Sequence, residues 1–214
     1  MPNKDNSKFR REYSDHSLNR SDLPENPLKL FEDWMSNAIS GDVAEPLAMA
    51  LSTANLSGKP SSRIVLLRHY SERGFVFYTN YKSRKADEIL QNPLATMNFF
   101  WPEQDRQIII NGKITKTSKD ESDAYFKSRP LKSQISALIS DQSKPISSRD
   151  YLEDLFSKKL KEFSEKKIKR PAYWGGFCLV PDNMEFWQGR PHRLNDRIYY
   201  SKESGVWIKQ RLAP

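Results

Sequence analysis

The chain has 214 residues, 37% hydrophobic and 29% charged, enough for one soluble domain of moderate size, or at most two small ones, with a sizeable core. Thirty-five lysines and arginines against 27 aspartates and glutamates leave a net charge of +8, which points to anionic partners; the charge is spread along the chain, which speaks against a nucleic-acid interface. One cysteine, Cys178, excludes an intrachain disulfide, no run is long enough to span a membrane, and the polar first 20 residues lack the apolar heart of a secretory signal, so a cytoplasmic protein is expected.

Residues 1–20 read as a flexible arm, with an unusual basic and aromatic cluster at Arg10, Arg11, Glu12 and Tyr13. That cluster is either a solvated tail or a flap that orders over a ligand. Residues 21–214 read as one domain. Leu28, Phe31, Trp34, Met35 and Ile39 recur at helical spacing and predict a core-facing helix over 27–40, with Asn26 as its cap, Pro27 in its first position and Gly41 at its end. Residues 49–54 predict a short strand, and residues 57–60 a turn.

Residues 63–85 are the stretch around which the chain is organised. Ile64, Val65, Leu66 and Leu67 form a β-rich apolar run between Arg63 and Arg68, predicting a strand to Tyr70. Residues 71–74 supply a turn, and Phe75 to Tyr78 begin the next strand. Ser83 sits where a helix cap belongs, with Arg84 and Lys85 in the first turn. Two cations are electrostatically unhelpful at a helix N-terminus and make sense if an anion such as phosphate is held there; the bare segment by itself reads more simply as a hairpin followed by a surface helix with two solvated cations.

Beyond it, residues 84–90 predict a short helix, and 95–101 with 106–116 a strand pair in which Asn111-Gly112 marks a bulge or kink. Ser118 and Glu121 have the spacing of a capping box, Arg129-Pro130 breaks that helix, and residues 134–139 begin another. Residues 147–166 predict a long charged helix with Tyr151, Leu152, Leu155, Phe156, Leu160 and Phe163 on its inner face. Residues 177–180, 183–188, 197–202 and 206–211 are the closing strands. Cys178, in the first of them, reads as a small buried hydrophobe. Many short antiparallel strands with inserted helices predict a β-rich α+β barrel.

Three sets of residues have the chemistry of phosphate ligands: Arg63 with Arg84 and Lys85, Arg68 with Arg129 and Ser133, and Arg193 with Arg197. Dinucleotide-binding and P-loop glycine patterns are missing, and His16, His69 and His192 have no metal-ligand spacing. Chemistry is therefore expected to reside in a bound organic cofactor that the protein places and polarises.

The motifs RREY at 10–13, RIVLLRHY at 63–70, FYTN at 77–80, SRKA at 83–86, RQ at 106–107, YFKSRP at 125–130, SQIS at 133–136, WGGF at 174–177, EFWQG at 185–189, HRLNDR at 192–197 and the closing RLAP resemble the pyridoxine (pyridoxamine) 5′-phosphate oxidase family, in order and along nearly the whole chain. The resemblance implies an FMN-binding split β-barrel with peripheral helices, acting as a homodimer with FMN at the interface. It implies oxidation of pyridoxine or pyridoxamine 5′-phosphate to pyridoxal 5′-phosphate by hydride transfer to the flavin. O2 takes up the electrons to become H2O2, and no nucleic acid, membrane or metal is involved.

Carried over by motif, the resemblance implies FMN contacts at Arg63, Ile64, Val65, Leu66, Leu67, Arg68, Tyr78, Thr79, Arg84, Lys85, Gln107, Gln142, Ser143, Trp187 and Arg197. It implies substrate contacts at Arg10, Tyr13, Arg68, Tyr125, Arg129, Ser133, Arg193 and Asn195, the last two beside the reacting ring as catalytic residues. Two positions depart from the family pattern. Arg68 stands where lysine is common, and Asn195 where histidine is common; asparagine hydrogen-bonds but does not titrate near neutral pH. A split-barrel flavin oxidoreductase with another substrate, a non-catalytic flavin or pyridoxal phosphate carrier, and a basic nucleic-acid-binding module are the alternatives.

Overall fold

The computed structural model describes residues 11–163 and 166–214. Among the described residues, five α-helices, α1 (Pro27–Ser40), α2 (Arg84–Gln91), α3 (Lys119–Ser128), α4 (Leu131–Ile139) and α5 (Arg149–Glu162), accompany nine strands. The strands are β1 (Ala48–Ala54), β2 (Pro60–Leu66), β3 (His69–Ser71), β4 (Gly74–Asn80), β5 (Leu94–Trp101), β6 (Arg106–Lys116), β7 (Trp174–Gln188), β8 (Asp196–Glu203) and β9 (Val206–Leu212). They pair in the order β2-β1-β5-β6-β7-β4-β3, with β8 on β7 and β9 on β8.

The chain divides into two compact units. The first comprises the segment ending at Pro46, Asn98–Ile110 and Asp182–Pro214; the second comprises Leu47–Met97 and Asn111–Pro181.

In the first unit, α1 forms where its signals lie. The Asn26 side chain accepts the Leu28 N–H at 3.0 Å, Pro27 opens the helix, and the Gly41 N–H closes it on the Asn37 carbonyl. Phe31 packs on Phe99 and Trp34 on Phe186, and Met35 is buried with them, but Ile39 is 60% exposed and lies outside the core stripe. The described part of the N-terminal arm is tied down from Arg11 onward. Arg11 pairs with Asp105, the Ser14 N–H donates to Asp105 at 2.9 Å, and the Leu18 N–H donates to Asp196 at 2.9 Å.

In the second unit, β2 ends at Leu66, and the run expected to continue to Tyr70 resumes as β3 on the far side of Leu67-Arg68. The break is a change of partner: β2 pairs antiparallel with β1, whereas β3 pairs with β4. α3 carries the expected capping box, with Ser118 accepting the Glu121 N–H and Glu121 reaching back to the Ser118 N–H. α4 starts at Leu131, three residues earlier than expected, because Pro130 suits the position before a helix as well as it ends one.

Three further expectations change. The two strands expected over 177–188 are one, β7. Pro181 fits because the pairing with β4 stops at Leu179 and that with β8 begins at Asn183, so no bond on that side needs its missing N–H. α5 is shorter than its pattern and buries no residue; Tyr151 is exposed, and part of the expected inner face lines a cavity. Cys178 is half-buried, its thiol donating to the Arg73 carbonyl.

At Gly112 the strand β6 runs on without a stop, and the reason for glycine is a close approach: a Cβ there would collide with the Val180 carbonyl oxygen. That oxygen belongs to backbone and cannot rotate away. Gly112→Ala is expected to cost about 1–3 kcal/mol of stability, as overpacking does, read as a lowered urea midpoint with an unchanged slope.

Candidate functional site

A cavity of about 1080 Å³ opens within the second unit, just above the roughly 300–1,000 Å³ typical of small-molecule sites. Eleven of the residues singled out by motif line it: Arg63, Ile64, Val65, Leu66, Arg68, Tyr78, Thr79, Lys85, Tyr125, Arg129 and Gln142. They come from β2, β4, α2, α3 and the loops after β2, α3 and α4, which the fold brings together from stretches far apart in sequence.

One end is a cationic cradle. Lys85, on the first turn of α2, is 8% exposed. Its ammonium donates to Gln142 Oε1 at 2.8 Å and Thr79 Oγ1 at 3.2 Å, with Ser83 Oγ at 3.4 Å; all three acceptors are neutral. Burial, with Arg63 and Arg84 nearby, pulls its pKa down to about 8, against an upward pull from Glu88. Arg63 is held from behind: Nη1 donates to the Leu51 carbonyl at 3.1 Å and Thr53 Oγ1 at 2.6 Å, and Nη2 donates to Ser61 Oγ and Glu88. Ser83 does not cap α2 through its side chain; its hydroxyl donates to the Asn80 carbonyl, which leaves the first-turn N–H groups uncapped by it.

The other end is built on aromatic rings. Tyr78 and Tyr125 stack with centroids 3.9 Å apart, and Trp174 lies parallel to Tyr78 at 5.6 Å. The Arg129 guanidinium sits over Trp174 at 4.6 Å from the ring centroid. Arg129 Nη1 is buried and has no hydrogen-bond partner among the described residues. An unsatisfied buried donor costs roughly 1–3 kcal/mol, more when charged, so the group is poised for an acceptor the protein does not supply. Burial, and Arg68 nearby, lower the Arg129 pKa, but a guanidinium keeps its proton throughout the physiological range.

Four expected residues of this unit are not in the lining. Leu67 is turned into the core at 1% exposed; Arg84 is exposed and reaches Glu88 at 3.9 Å; Ser133 is half-buried on the first turn of α4; Ser143 is exposed with φ 73°.

The first unit holds the rest. Tyr13 packs edge-on against Trp187 at 5.4 Å, and the Arg193 guanidinium lies over Tyr13 at 5.6 Å. His192 and Arg193 both have left-handed backbone (φ 58° and 64°), a conformation that costs of order 1–3 kcal/mol each. The Asn195 side-chain oxygen accepts the Arg190 N–H at 3.0 Å and closes this strained loop. Arg197 is not a bare cation: Glu185, on the neighbouring strand, accepts from its Nε at 2.7 Å and from Nη2 at 3.2 Å. Gln107 donates to Asn98 at 3.0 Å. Arg10 lies outside the described residues.

Motif reading did not single out Glu88, Ser61, Thr53 or Trp174 as site residues, nor the α5 residues Leu152 and Phe156 that line the cavity. Nothing local marks the first three, since their contacts join β1, β2 and α2. No group of three or more metal-binding side chains occurs, and no helix is long and apolar enough to cross a membrane, among the described residues.

Residues 35–158 match the family described as pyridoxamine 5′-phosphate oxidase, and residues 174–214 match the region described as pyridoxine 5′-phosphate oxidase C-terminal dimerisation region. The chain is 44% identical over 206 residues to the pyridoxine/pyridoxamine 5′-phosphate oxidase of Legionella pneumophila (strain Paris), covering 96% of each. To that of Paraburkholderia phymatum it is 48% identical over 207 residues, covering 96% of this chain and 97% of the other. Among solved structures, PhzG from Burkholderia lata 383, in complex with tetrahydrophenazine-1-carboxylic acid, aligns with a TM-score of 0.89 at 30% identity over 94% of this chain and 100% of that one. A pyridoxamine 5′-phosphate oxidase-related, FMN binding protein from Nostoc punctiforme PCC 73102 aligns at 0.71 and 18% identity over 87% of this chain and 96% of that one, a likeness of fold.

The cradle makes a pH prediction whose sign follows from Lys85. Its pKa is depressed to about 8, so the bare cradle loses a positive charge as pH rises through 8. The charged groups facing it are Arg63, Arg84 and Glu88. Affinity of the ligand-free protein for inorganic phosphate or a phosphate monoester is expected to fall above pH 8 by up to about tenfold per unit. Burial of the charged form costs folding stability below pH 8, and that cost fades between about 8 and the ordinary lysine value. Calorimetric phosphate titrations across this range, with Lys85→Met as the pH-flat control, check it.

Proposed function

The chain belongs to the pyridoxamine 5′-phosphate oxidase family, and from that premise we propose how its residues divide the work. The protein is a split-barrel flavoenzyme that oxidises pyridoxine or pyridoxamine 5′-phosphate to pyridoxal 5′-phosphate with FMN as cofactor, in vitamin B6 metabolism. Residues 174–214 supply its dimerisation region. In our reading it works in the cytoplasm, with FMN at the subunit interface and O2 as the final electron acceptor. The alcohol substrate plus O2 gives the aldehyde and H2O2; the amine substrate also consumes water and releases ammonia.

The residues present fit FMN on chemical grounds: an apolar stretch of lining at Ile64, Val65 and Leu66, a cationic cradle at Arg63 and Lys85, and a second anion locus at Arg129 for the substrate. Bound FMN supplies the two-electron acceptor. Arg63 and Lys85, with Arg84 at the rim, hold the coenzyme phosphate. Ile64, Val65, Leu66, Tyr78, Thr79 and Gln142 lie along the coenzyme. Gln107, Ser143, Trp187 and Arg197 complete its contacts, with the second subunit contributing. Leu67 supports that wall from the core.

Tyr125, Arg129, Ser133 and Arg68 take the substrate phosphate. Arg193 orients the substrate ring and Tyr13 covers it, Arg10 extending that flap. Holding the reacting carbon in line supplies much of the rate. Asn195 moves no proton at neutral pH. Its oxygen fixes the Arg190 amide and so acts through the Arg193 loop, as a positioning residue.

The observation that carries this reading is the buried, partnerless Arg129 Nη1 in the same cavity as Lys85. Two phosphates satisfy both loci; a substrate without phosphate leaves Arg129 desolvated and unpaired. Adding pyridoxine 5′-phosphate anaerobically to the FMN-loaded protein tests it: the yellow colour bleaches for an oxidase and persists for a carrier.

Two substitutions follow. Arg129→Ala raises KM for the phosphorylated substrate roughly 10- to 100-fold, the loss of charge-assisted bonding worth about 1.5–3 kcal/mol, and leaves FMN affinity unchanged. Asn195→Ala lowers kcat by up to about 100-fold through a displaced Arg193, whereas Asn195→Asp, which keeps the acceptor, retains most of the rate. Steady-state kinetics with a flavin-release assay check both.

A further inference from the structure

Glu88 sits on α2, one turn beyond Arg84 and Lys85, with only 9% of its surface exposed. A carboxylate in such a position costs several kcal/mol unless it is paired and hydrogen-bonded. Here it is. The Thr53 hydroxyl from β1 and the Ser61 hydroxyl from β2 donate to Oε2, the latter at 2.6 Å; Arg63 Nη2 lies at 3.4 Å, and Arg84 Nε lies 3.9 Å from Oε1. Burial pushes the Glu88 carboxyl up, but the hydrogen bonds from Ser61 and Thr53 and the charge of Arg63 outweigh it, and the group ends below its ordinary value.

We propose that Glu88 is the positioning residue of the phosphate cradle, a fixed counter-charge that holds Arg63 and Arg84 beside Lys85 so that three cations stand together before any phosphate arrives. This rests on the reading of that cradle as the coenzyme-phosphate site.

Charge and geometry both favour it. Three cations and one carboxylate leave +2, a match for a phosphate monoester of about −1.5 to −2. Without Glu88 the three cations would repel one another across a partly desolvated space. Arg63 would also lose the one charged group in its set, since its other partners are the Leu51 carbonyl and the Thr53 and Ser61 hydroxyls. The carboxylate also pulls the Lys85 pKa upward, against burial and the two arginines. Glu88 is not among the residues lining the cavity, whereas Arg63 and Lys85 both are. It therefore acts through its neighbours and not by touching a ligand.

The test compares FMN with riboflavin, which lacks the phosphate, by quenching of flavin fluorescence on titration with the flavin-free protein. For Glu88→Gln, which keeps shape and one acceptor but removes the charge, FMN affinity falls by about tenfold or more and riboflavin affinity is unchanged. Glu88→Asp recovers part of the loss, and it reads the same comparison should the glutamine variant fail to fold. Equal weakening of both flavins would mean a merely structural residue and overturns the proposal. So does unchanged or tighter FMN binding, which would mean the carboxylate only opposes the anion. Lys85→Ala separates the premise from the proposal: it abolishes the preference for FMN over riboflavin if the cradle takes the coenzyme phosphate. A retained preference overturns that reading, and the proposal with it.

Discussion

The site depends on how positive charge is kept inside a protein without being cancelled. The second unit does this in two different ways. Arg63 is anchored by a buried carboxylate, two hydroxyls and a carbonyl, and Lys85 by three neutral oxygens. Arg129 has no carboxylate partner among the described residues; its guanidinium sits over Trp174, and one of its nitrogens is left bare. A buried cation with a full set of partners has little left to offer a ligand, and one with none is costly to keep. The two solutions sit between these limits. One cradle is held beside a counter-charge, and in the other Arg129 Nη1 is left without a partner; on the reading proposed above, the substrate phosphate completes it.

The aromatic column links the two loci. Tyr78, Tyr125 and Trp174 are nearly parallel, with Tyr125–Trp174 at 6.2 Å and 6° between planes. Tyr78 follows from β4, Tyr125 from α3 and Trp174 from the start of β7, so the stack exists only when those elements are packed. In the first unit a different device holds Arg193. A loop with two consecutive left-handed residues is closed by Asn195 and overlaid by Tyr13. Strain of this kind persists only where surrounding contacts over-determine it.

Much of this was legible in the sequence, and the reasons are local. α1 announced its bounds through Asn26, Pro27 and Gly41, and α3 through the Ser118–Glu121 box, because caps act within four residues. The cations at 63, 85, 68 and 129 were legible as phosphate-type chemistry, and eleven motif residues do line one cavity. What could not be read depends on partners distant in sequence. Residues 177–180 and 183–188 were expected as separate strands because the change of partner from β4 to β8 that joins them in β7 is a tertiary fact. Glu88 was not singled out at all, since its partners Thr53 and Ser61 lie 35 and 27 residues away. The stripe on α5 had the period of a core face, yet Leu152 and Phe156 face the cavity instead. Asn195 read as a loss of titrating chemistry; its hydrogen bond to the Arg190 amide gives asparagine a positive reason to be there.

The most direct test of the central claim is a crystal structure of the protein with FMN and pyridoxal 5′-phosphate bound. The account predicts two phosphates in one cavity: the coenzyme's against Lys85 and Arg63, and the vitamer's accepting from Arg129 Nη1. A coenzyme phosphate on Arg129, or an Arg129 that stays unpaired with both ligands present, would contradict it.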